Sequence, residues 1–300
     1  MLWSCLRALL VVLALLPEAR AAGLAMLLSD TKGPYAEFST AFGEALDGSV
    51  WKIIASGTGD PVSEAGSPDL IVAVGSDAFR RSLARGGNTP IIATLIQRQA
   101  YDKILAEAGR NRPRSTAVFL EQPPARQAAF IRHLLPGQRR IGLVQRSASG
   151  FPINPQLQAL GGAGFTVETE ESQNDNDLLP ALNALLPRVN ALLAQPDPTI
   201  YKRDNIKAIL VTTFRHRKPL IAFSPTLVNA GALAALYTTP AQIARQTADL
   251  VLVHGTALPA PRDPAQFAIA INPNVAQALD LSLPDEAALR RALLNDKDAR

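Results

Sequence analysis

Three hundred residues, at roughly 150 residues per domain, set the scale of about two domains. Apolar residues make up 47% of the chain and charged residues 19%, which excludes a disordered protein, and a single Cys excludes a disulfide scaffold, a zinc ribbon and an iron–sulfur protein. The 30 Lys and Arg exceed the 26 Asp and Glu only mildly and are dispersed, so there is no basic stripe of the kind that grips nucleic acid.

The N-terminus reads as an export leader. Arg7 precedes an apolar run, Ala8 to Leu16 (ALLVVLALL), followed by the helix breaker Pro17 and the small-residue site Ala19-Arg20-Ala21. A basic, an apolar and a small-residue stretch in that order make a secretory signal peptide, with cleavage expected after Ala21. The run falls short of the ~20 residues that span a bilayer. The only Cys, Cys5, precedes the apolar run, where it cannot carry a lipid, and it would leave with the leader. The expected product starts at Ala22 as a cysteine-free periplasmic protein.

From Gly23 short apolar runs alternate with helical patterns. Leu24–Ser29 (LAMLLS), Trp51–Ser56, Asp69–Gly75 (DLIVAVG), Pro90–Leu95 and Thr116–Glu121 read as strands; Tyr35–Leu46, Asp77–Arg85 and Gln99–Gly109 read as helices between them. A second series begins with a helix over Ala125–Leu135, stopped by Pro136-Gly137 before the strand Arg140–Gln145. Phe165–Glu170 reads as a strand and Leu178–Leu193 as one long helix. Ala208–Thr213 (AILVTT), Leu220–Ser224 and Ala232–Tyr237 read as strands, Pro240–Val253 as a helix, and Phe267–Ile271 as a late strand before a helical tail from Asp285. This alternation predicts an α/β protein with two doubly wound parallel-sheet lobes, several chain crossings between them and a ligand in the interlobe cleft.

No phosphate-cradling P-loop, dinucleotide fingerprint or nucleophile elbow is present, and His133, His216 and His254 have no metal-ligand spacing. No cofactor or metal is expected. A binder fits this inventory better than an enzyme; an exported enzyme would need Asp30, Glu121 and Asp197 to converge in the cleft.

The second half carries a specific resemblance. Pro196-Asp-Pro-Thr-Ile-Tyr201, Pro219-Leu-Ile-Ala-Phe-Ser224, Val228–Tyr237 (VNAGALAALY), Gln242–Leu250 (QIARQTADL) and Ile271–Ala276 (INPNVA) occur in order, with Leu134–Gly142 before them and Leu281–Pro284 after. The chain resembles the substrate-binding proteins of ABC importers, in the family that includes tryptophan and tyrosine binders, from about Thr116 onward. A Pro-Gly-Gly-Asn-type crossover of many members is replaced near Ala117 by Ala-Val-Phe-Leu-Glu-Gln. The resemblance implies a periplasmic-binding-protein type I fold, a hinge of three crossing strands, cleft closure on a small ligand and delivery to an ABC permease in the inner membrane by a monomeric protein. An exported sensor that shows its closed form to a membrane kinase or receptor is the alternative on the same frame.

The expected division is a leader at 1–21, a first lobe of 22–118 and 238–300, and a second lobe of 119–237. Candidate ligand contacts lie just past strand ends, since closure couples to binding only if the ligand touches both lobes. In the first lobe these are Ser29, Tyr35, Gly75, Ser76, Thr94 and Gln97. Gly75-Ser76 is equally a turn and helix cap. In the second lobe and at the crossings they are Gln122, Gln145, Arg146, Asp197, Phe223, Ser224 and Tyr237. Arg146 is a candidate for a ligand carboxylate and Asp197 for a ligand ammonium, the pair expected of an amino acid or other small carboxylate. Tyr35, Phe223 and Tyr237 are candidates for stacking on a flat ligand and equally for core packing.

Overall fold

The computed structural model describes residues 22–299; the expected leader, residues 1–21, lies outside them. Among the described residues no helix is long and apolar enough to cross a membrane.

The first lobe is a five-stranded parallel sheet in the order β2-β1-β3-β4-β5, with β1 at Ala22–Leu28, β2 at Trp51–Gly57, β3 at Leu70–Val74, β4 at Ile91–Ile96 and β5 at Ser115–Phe119. Its central strands are apolar on both faces because both faces are covered. Leu24, Met26 and Leu28 of β1 point to one side, with Phe38 and Phe42 of α1 (Pro34–Leu46). Ala25 and Leu27 point to the other, with Phe79 of α3 (Ser76–Ala84) and Tyr101 and Ile104 of α4 (Arg98–Ala108). A short helix, α2 (Pro61–Glu64), covers the same face through Val62.

The second lobe repeats the plan. Strands β6 (Arg140–Gln145), β7 (Thr166–Glu171), β8 (Ala191–Leu193), β9 (Leu220–Ala222), β10 (Ala234–Tyr237) and β11 (Ala268–Ile271) lie in the order β11-β10-β9-β8-β6-β7, with only β11 antiparallel. Without β11 the order has the same pattern as the first lobe, with a crossover reversing between the first and third strands of each half. One face is covered by α5 (Pro124–Leu134) and α6 (Asn154–Gly162). The other is covered by α7 (Asp175–Leu185), α8 (Arg203–Arg215) and α9 (Pro225–Ala230).

Three passages of chain join the lobes: β5 to α5; β10 to α10 (Pro240–His254), which packs on α1 and β4; and a return through Arg262. Arg262 pairs beside Val118 through bonds from its N–H to Ala117 O and from Phe119 N to its own carbonyl, before the chain runs into β11. The division expected from sequence therefore needs correcting at its last boundary. Residues 238–263 belong with the first lobe, but from Phe267 onward the chain packs on the second, including α11 (Pro273–Ala278) and α12 (Glu286–Asn295). The reason is the alternating apolar face of β11, which needs a partner and finds one in β10, with Tyr237 opposite Ala268. Leu289 and Leu293 of α12 then close over Phe130 and Ile131 of α5.

Two elements differ from their sequence reading. Ala208–Thr213, whose β-branched run reads as a strand, lies inside α8: Asn205, Ile209 and Thr213 are buried at helical spacing while Val211 and Phe214 are exposed. Tertiary packing of that stripe outweighs the β propensity of Ile, Val and Thr. The long helix expected over Leu178–Leu193 breaks at Pro187 and is followed by the fully buried strand β8. A three-residue apolar strand and a buried helical turn have the same pattern, so periodicity does not separate them.

Candidate functional site

The carboxyl ends of both sheets face a shared cleft that holds a cavity of about 470 Å³, within the range of small-molecule sites. Its first-lobe wall is built from the loops after β4 and β5, which carry Gln97, Arg98, Gln99, Leu120 and Glu121. Its second-lobe wall takes Phe151, Gln156, Gln195, Phe223, Ser224 and Tyr237. The third passage contributes Asp263, and Gln122, Pro124, Gln127 and Thr238 close the hinge side. The lining is mainly aromatic and prolyl surface, six glutamine amides (Gln97, Gln99, Gln122, Gln127, Gln156 and Gln195), and three charged groups (Arg98, Glu121 and Asp263).

A local irregularity aims the first-lobe wall. Pairing of β4 with β5 shifts between Thr94 and Ile96, and the intervening Leu95 takes a positive φ of 48°. A left-handed non-glycine residue costs on the order of 1–3 kcal/mol, and here it turns the chain so that Gln97 reaches across to the other lobe. Gln97 Nε2 donates to Pro196 O at 3.0 Å, and Gln99 Nε2 donates to Ser149 O at 3.0 Å. Both bonds join the lobes directly over the cleft.

The hinge is held by a second set of bonds. Gln122, on the first passage, donates through Nε2 to Thr238 Oγ1 on the second and to Gln266 O on the third, the latter at 3.0 Å. Arg126 of α5 donates to Gln122 Oε1 and to Pro264 O, both at 2.8 Å, and to Ala299 O near the C-terminus at 3.1 Å. One amide and one guanidinium thus tie all three passages together.

Glu121 is the unusual titratable group of the cleft. Its carboxylate accepts from Arg98 N, at 3.0 and 3.2 Å to its two oxygens, and Arg98 Nη2 donates to Asp263 Oδ1 at 2.6 Å. Burial, opposed only in part by its backbone bonds and by Arg98, lifts the Glu121 carboxyl from its ordinary 4.5 to about 7. The native state therefore keeps a proton that the unfolded chain releases between about pH 4.5 and 7. Stability from this group falls as pH rises through that window, by about 1–3 kcal/mol, and is flat above it. Urea denaturation at the two ends of the window should show this slope, and Glu121→Gln should remove it. An unchanged slope in the variant would show that Glu121 is not its source.

Of the residues singled out from sequence, Gln97, Gln122, Phe223, Ser224 and Tyr237 line the cavity. The others do not. Ser29, Tyr35, Gly75 and Ser76 cluster at the ends of β1 and β3, where Ser29 Oγ accepts from Ala78 N at 2.9 Å and caps α3. Thr94 is fully buried, its hydroxyl bonded to Thr247 of α10 at 3.1 Å. Gln145 ends β6 beside Glu171, and its carbonyl accepts from Ser172 N.

Arg146 is spent inside its own lobe on Ser172 O and Thr199 O, both at 3.0 Å, and on Asp175 Oδ1 at 3.2 Å. Bonds from Lys202, Asn205 and Arg146 hold the Asp175 carboxyl down at about 2. Asp197 accepts from Ser149 Oγ at 2.7 Å, Thr199 N at 2.8 Å and Thr199 Oγ1 at 2.7 Å. The residue pair expected to hold the two ends of an amino acid is thus consumed by loop structure. Nor do Asp30, Glu121 and Asp197 converge, since only Glu121 lines the cavity. Among the described residues no group of three or more His, Cys, Asp or Glu is placed to hold a metal ion.

Sequence reasoning passed over Phe151, Gln127, Gln156 and Gln195 as cavity residues. Phe151 and Gln156 sit around the start of α6, in a segment punctuated by Pro152 and Pro155. That punctuation was the available signal.

Comparison with known proteins finds that residues 63–293 match a family described as ABC transporter substrate binding protein. A search of curated proteins finds no match. Among solved structures, a ligand-free, open substrate binding protein with adhesive properties from Clostridium difficile superposes with a TM-score of 0.65 at 15% identity, covering 88% of this chain and 96% of that one. A conserved domain protein from Vibrio cholerae gives 0.59 at 18% identity over 91% of this chain and 98% of that one. A domain from Streptococcus pneumoniae solved in complex with L-Trp gives 0.57 at 19% identity over 90% and 98%. At these identities the likeness establishes the fold, the periplasmic-binding-protein type I architecture.

Proposed function

The chain belongs to the ABC transporter substrate binding protein family, and we propose from that premise that it captures a small solute between its lobes and hands it to an ABC permease in the inner membrane. The observation that carries this reading is the cavity of about 470 Å³ with walls from both lobes, bridged by the Gln97 and Gln99 bonds. A solute touching both walls favours the closed arrangement over the open one, which is the only way binding can drive closure. The permease then distinguishes loaded from empty protein by shape. The family is one of solute-binding proteins, not of enzymes.

The leader read in residues 1–21 supports a periplasmic location, and a monomer suffices for the mechanism. Ligand choice rests on the lining. With Arg146 and Asp197 engaged elsewhere, the solute is held by the aromatic rings of Phe151, Phe223 and Tyr237, by prolines such as Pro152 and Pro155 and by glutamine amides. The structurally similar streptococcal domain was solved with L-Trp, whose indole is flat.

The test is a thermal-melt screen of residues 22–300 against amino acids, aromatic amines, nucleosides and sugars. A solute at 100 times its Kd adds about 2.7 kcal/mol to the native state, which at this chain length lifts the midpoint by several degrees, roughly 2–4 °C per kcal/mol. The reading expects one chemical class to stand out and Phe223→Ala to weaken that hit. If no class shifts the midpoint of folded protein, solute capture is the wrong reading.

A further inference from the structure

The following rests on the cavity being a solute site and concerns the charge of what enters it. Two features of this cleft would ordinarily attract an anion, and the chain's own carboxylates occupy both. The Arg98 guanidinium bonds Asp263 at 2.6 Å and lies 4.0 Å above the Phe119 ring. The first-turn amide of α4, Arg98 N–H, is taken by Glu121 at 3.0 Å. Two arginines outside the lining are also committed, Arg126 to the hinge carbonyls and Arg146 to Asp175 and the loop carbonyls. With Glu121 ionised, the three charged lining groups sum to a negative charge, one guanidinium against two carboxylates.

We infer that the cavity selects flat solutes whose polar end is an ammonium or a neutral N–H donor rather than a carboxylate, with Glu121 receiving that donor from the hinge side and Phe151 and Phe223 of the second lobe lying against the flat face. Such a solute touches the first passage and the second lobe and so links the two walls. The groups facing Glu121 are Arg98 from α4 and Asp263 from the third passage, already paired with each other. Burial sets the Glu121 carboxyl near neutrality, so an amine gains a full counter-charge only as pH rises through about 7.

The test is a volume-matched trio of 2-naphthylmethylamine, 2-naphthamide and 2-naphthoate, titrated onto residues 22–300 by ligand-observed NMR at about pH 6 and pH 8, either side of the Glu121 midpoint. At the higher pH the amine should bind at least about tenfold tighter than the carboxylate, with the ratio shrinking at the lower pH. Glu121→Gln should bring the amine-to-carboxylate ratio close to unity at both pH values, while binding of the uncharged amide changes little. The wild-type pH dependence keeps the test decisive if the variant fails to fold. A carboxylate that binds as tightly as the amine, or a ratio that ignores both pH and Glu121, overturns the charge preference and leaves the cavity a solute site. Failure of all three to bind folded protein at millimolar concentration overturns the preference for flat solutes with a donor end, while the thermal-melt screen across solute classes decides solute capture itself.

Discussion

Gly75→Ala is expected to lower the stability of the first lobe by about 2–5 kcal/mol, summing backbone strain and overpacking. Gly75 follows β3 with φ 95° and ψ 165°, a conformation that glycine alone adopts without strain. A Cβ there would lie 2.5 Å from Ser29 Oγ, 2.9 Å from Ser29 Cβ and 2.8 Å from Tyr35 Cε1. Relief by moving Ser29 is expensive, because its Oγ caps α3 through Ala78 N. Relief by moving the backbone is also expensive, because Gly75 N–H bonds Thr94 O at 2.8 Å. Urea titration should show a lower midpoint with an unchanged slope. A loss under about 1 kcal/mol would mean the turn from β3 into α3 relaxes freely and that this account of it is wrong.

Asp197→Ala should cost about 2–4 kcal/mol, and the reason is loop structure instead of ligand charge. The residue is 3% exposed and accepts three hydrogen bonds, from Ser149 and from two groups of Thr199. Truncation leaves Thr199 N–H without an acceptor and unties the loop of Ser149 from the loop of Pro196. Those two loops carry the carbonyls that Gln99 and Gln97 reach from the first lobe. Asp197→Asn keeps the shape and most acceptors, and should cost only about 1 kcal/mol. Equal losses for Ala and Asn would point to the charge; a negligible loss for Ala would remove Asp197 from the loop's support.

How much of this was legible in sequence varies with the physics. The strands of the first lobe read directly because doubly covered strands are continuous apolar runs, as in DLIVAVG. Helix limits read well where Pro136-Gly137 or Thr239-Pro240 punctuate them. The β8 strand and α8 did not, because a short buried segment takes its conformation from neighbours far along the chain. The rule that solutes bind past strand ends points to Gln97, Phe223 and Tyr237, which line the cavity, and equally to Ser29 and Gly75, which do not. It does not say which strand ends of a sheet reach the other lobe. Arg146 and Asp197 look like ligand groups until their partners are seen. Asp175, Thr199 and Ser149 approach them only in the folded loops. Glu121 was visible as an acidic residue at a crossing, but its burial against Arg98 N and Asp263 arises from the third passage.

The docking of α10 on α1 and β4, and of Arg262 beside Val118, also bears on the order in which the molecule assembles. Ile243, Ala248 and Val251 of α10 complete the apolar layer that Phe38 and Phe42 begin. When the chain is delivered N-terminal side first to the compartment where it folds, the first-lobe strands wait for α10, with the whole second sheet as far as β10 arriving between them. Those strands therefore stay partly uncovered for most of the delivery, and an interaction that shields them during that interval has time to act. The portion of the chain that begins folding is among the last to finish.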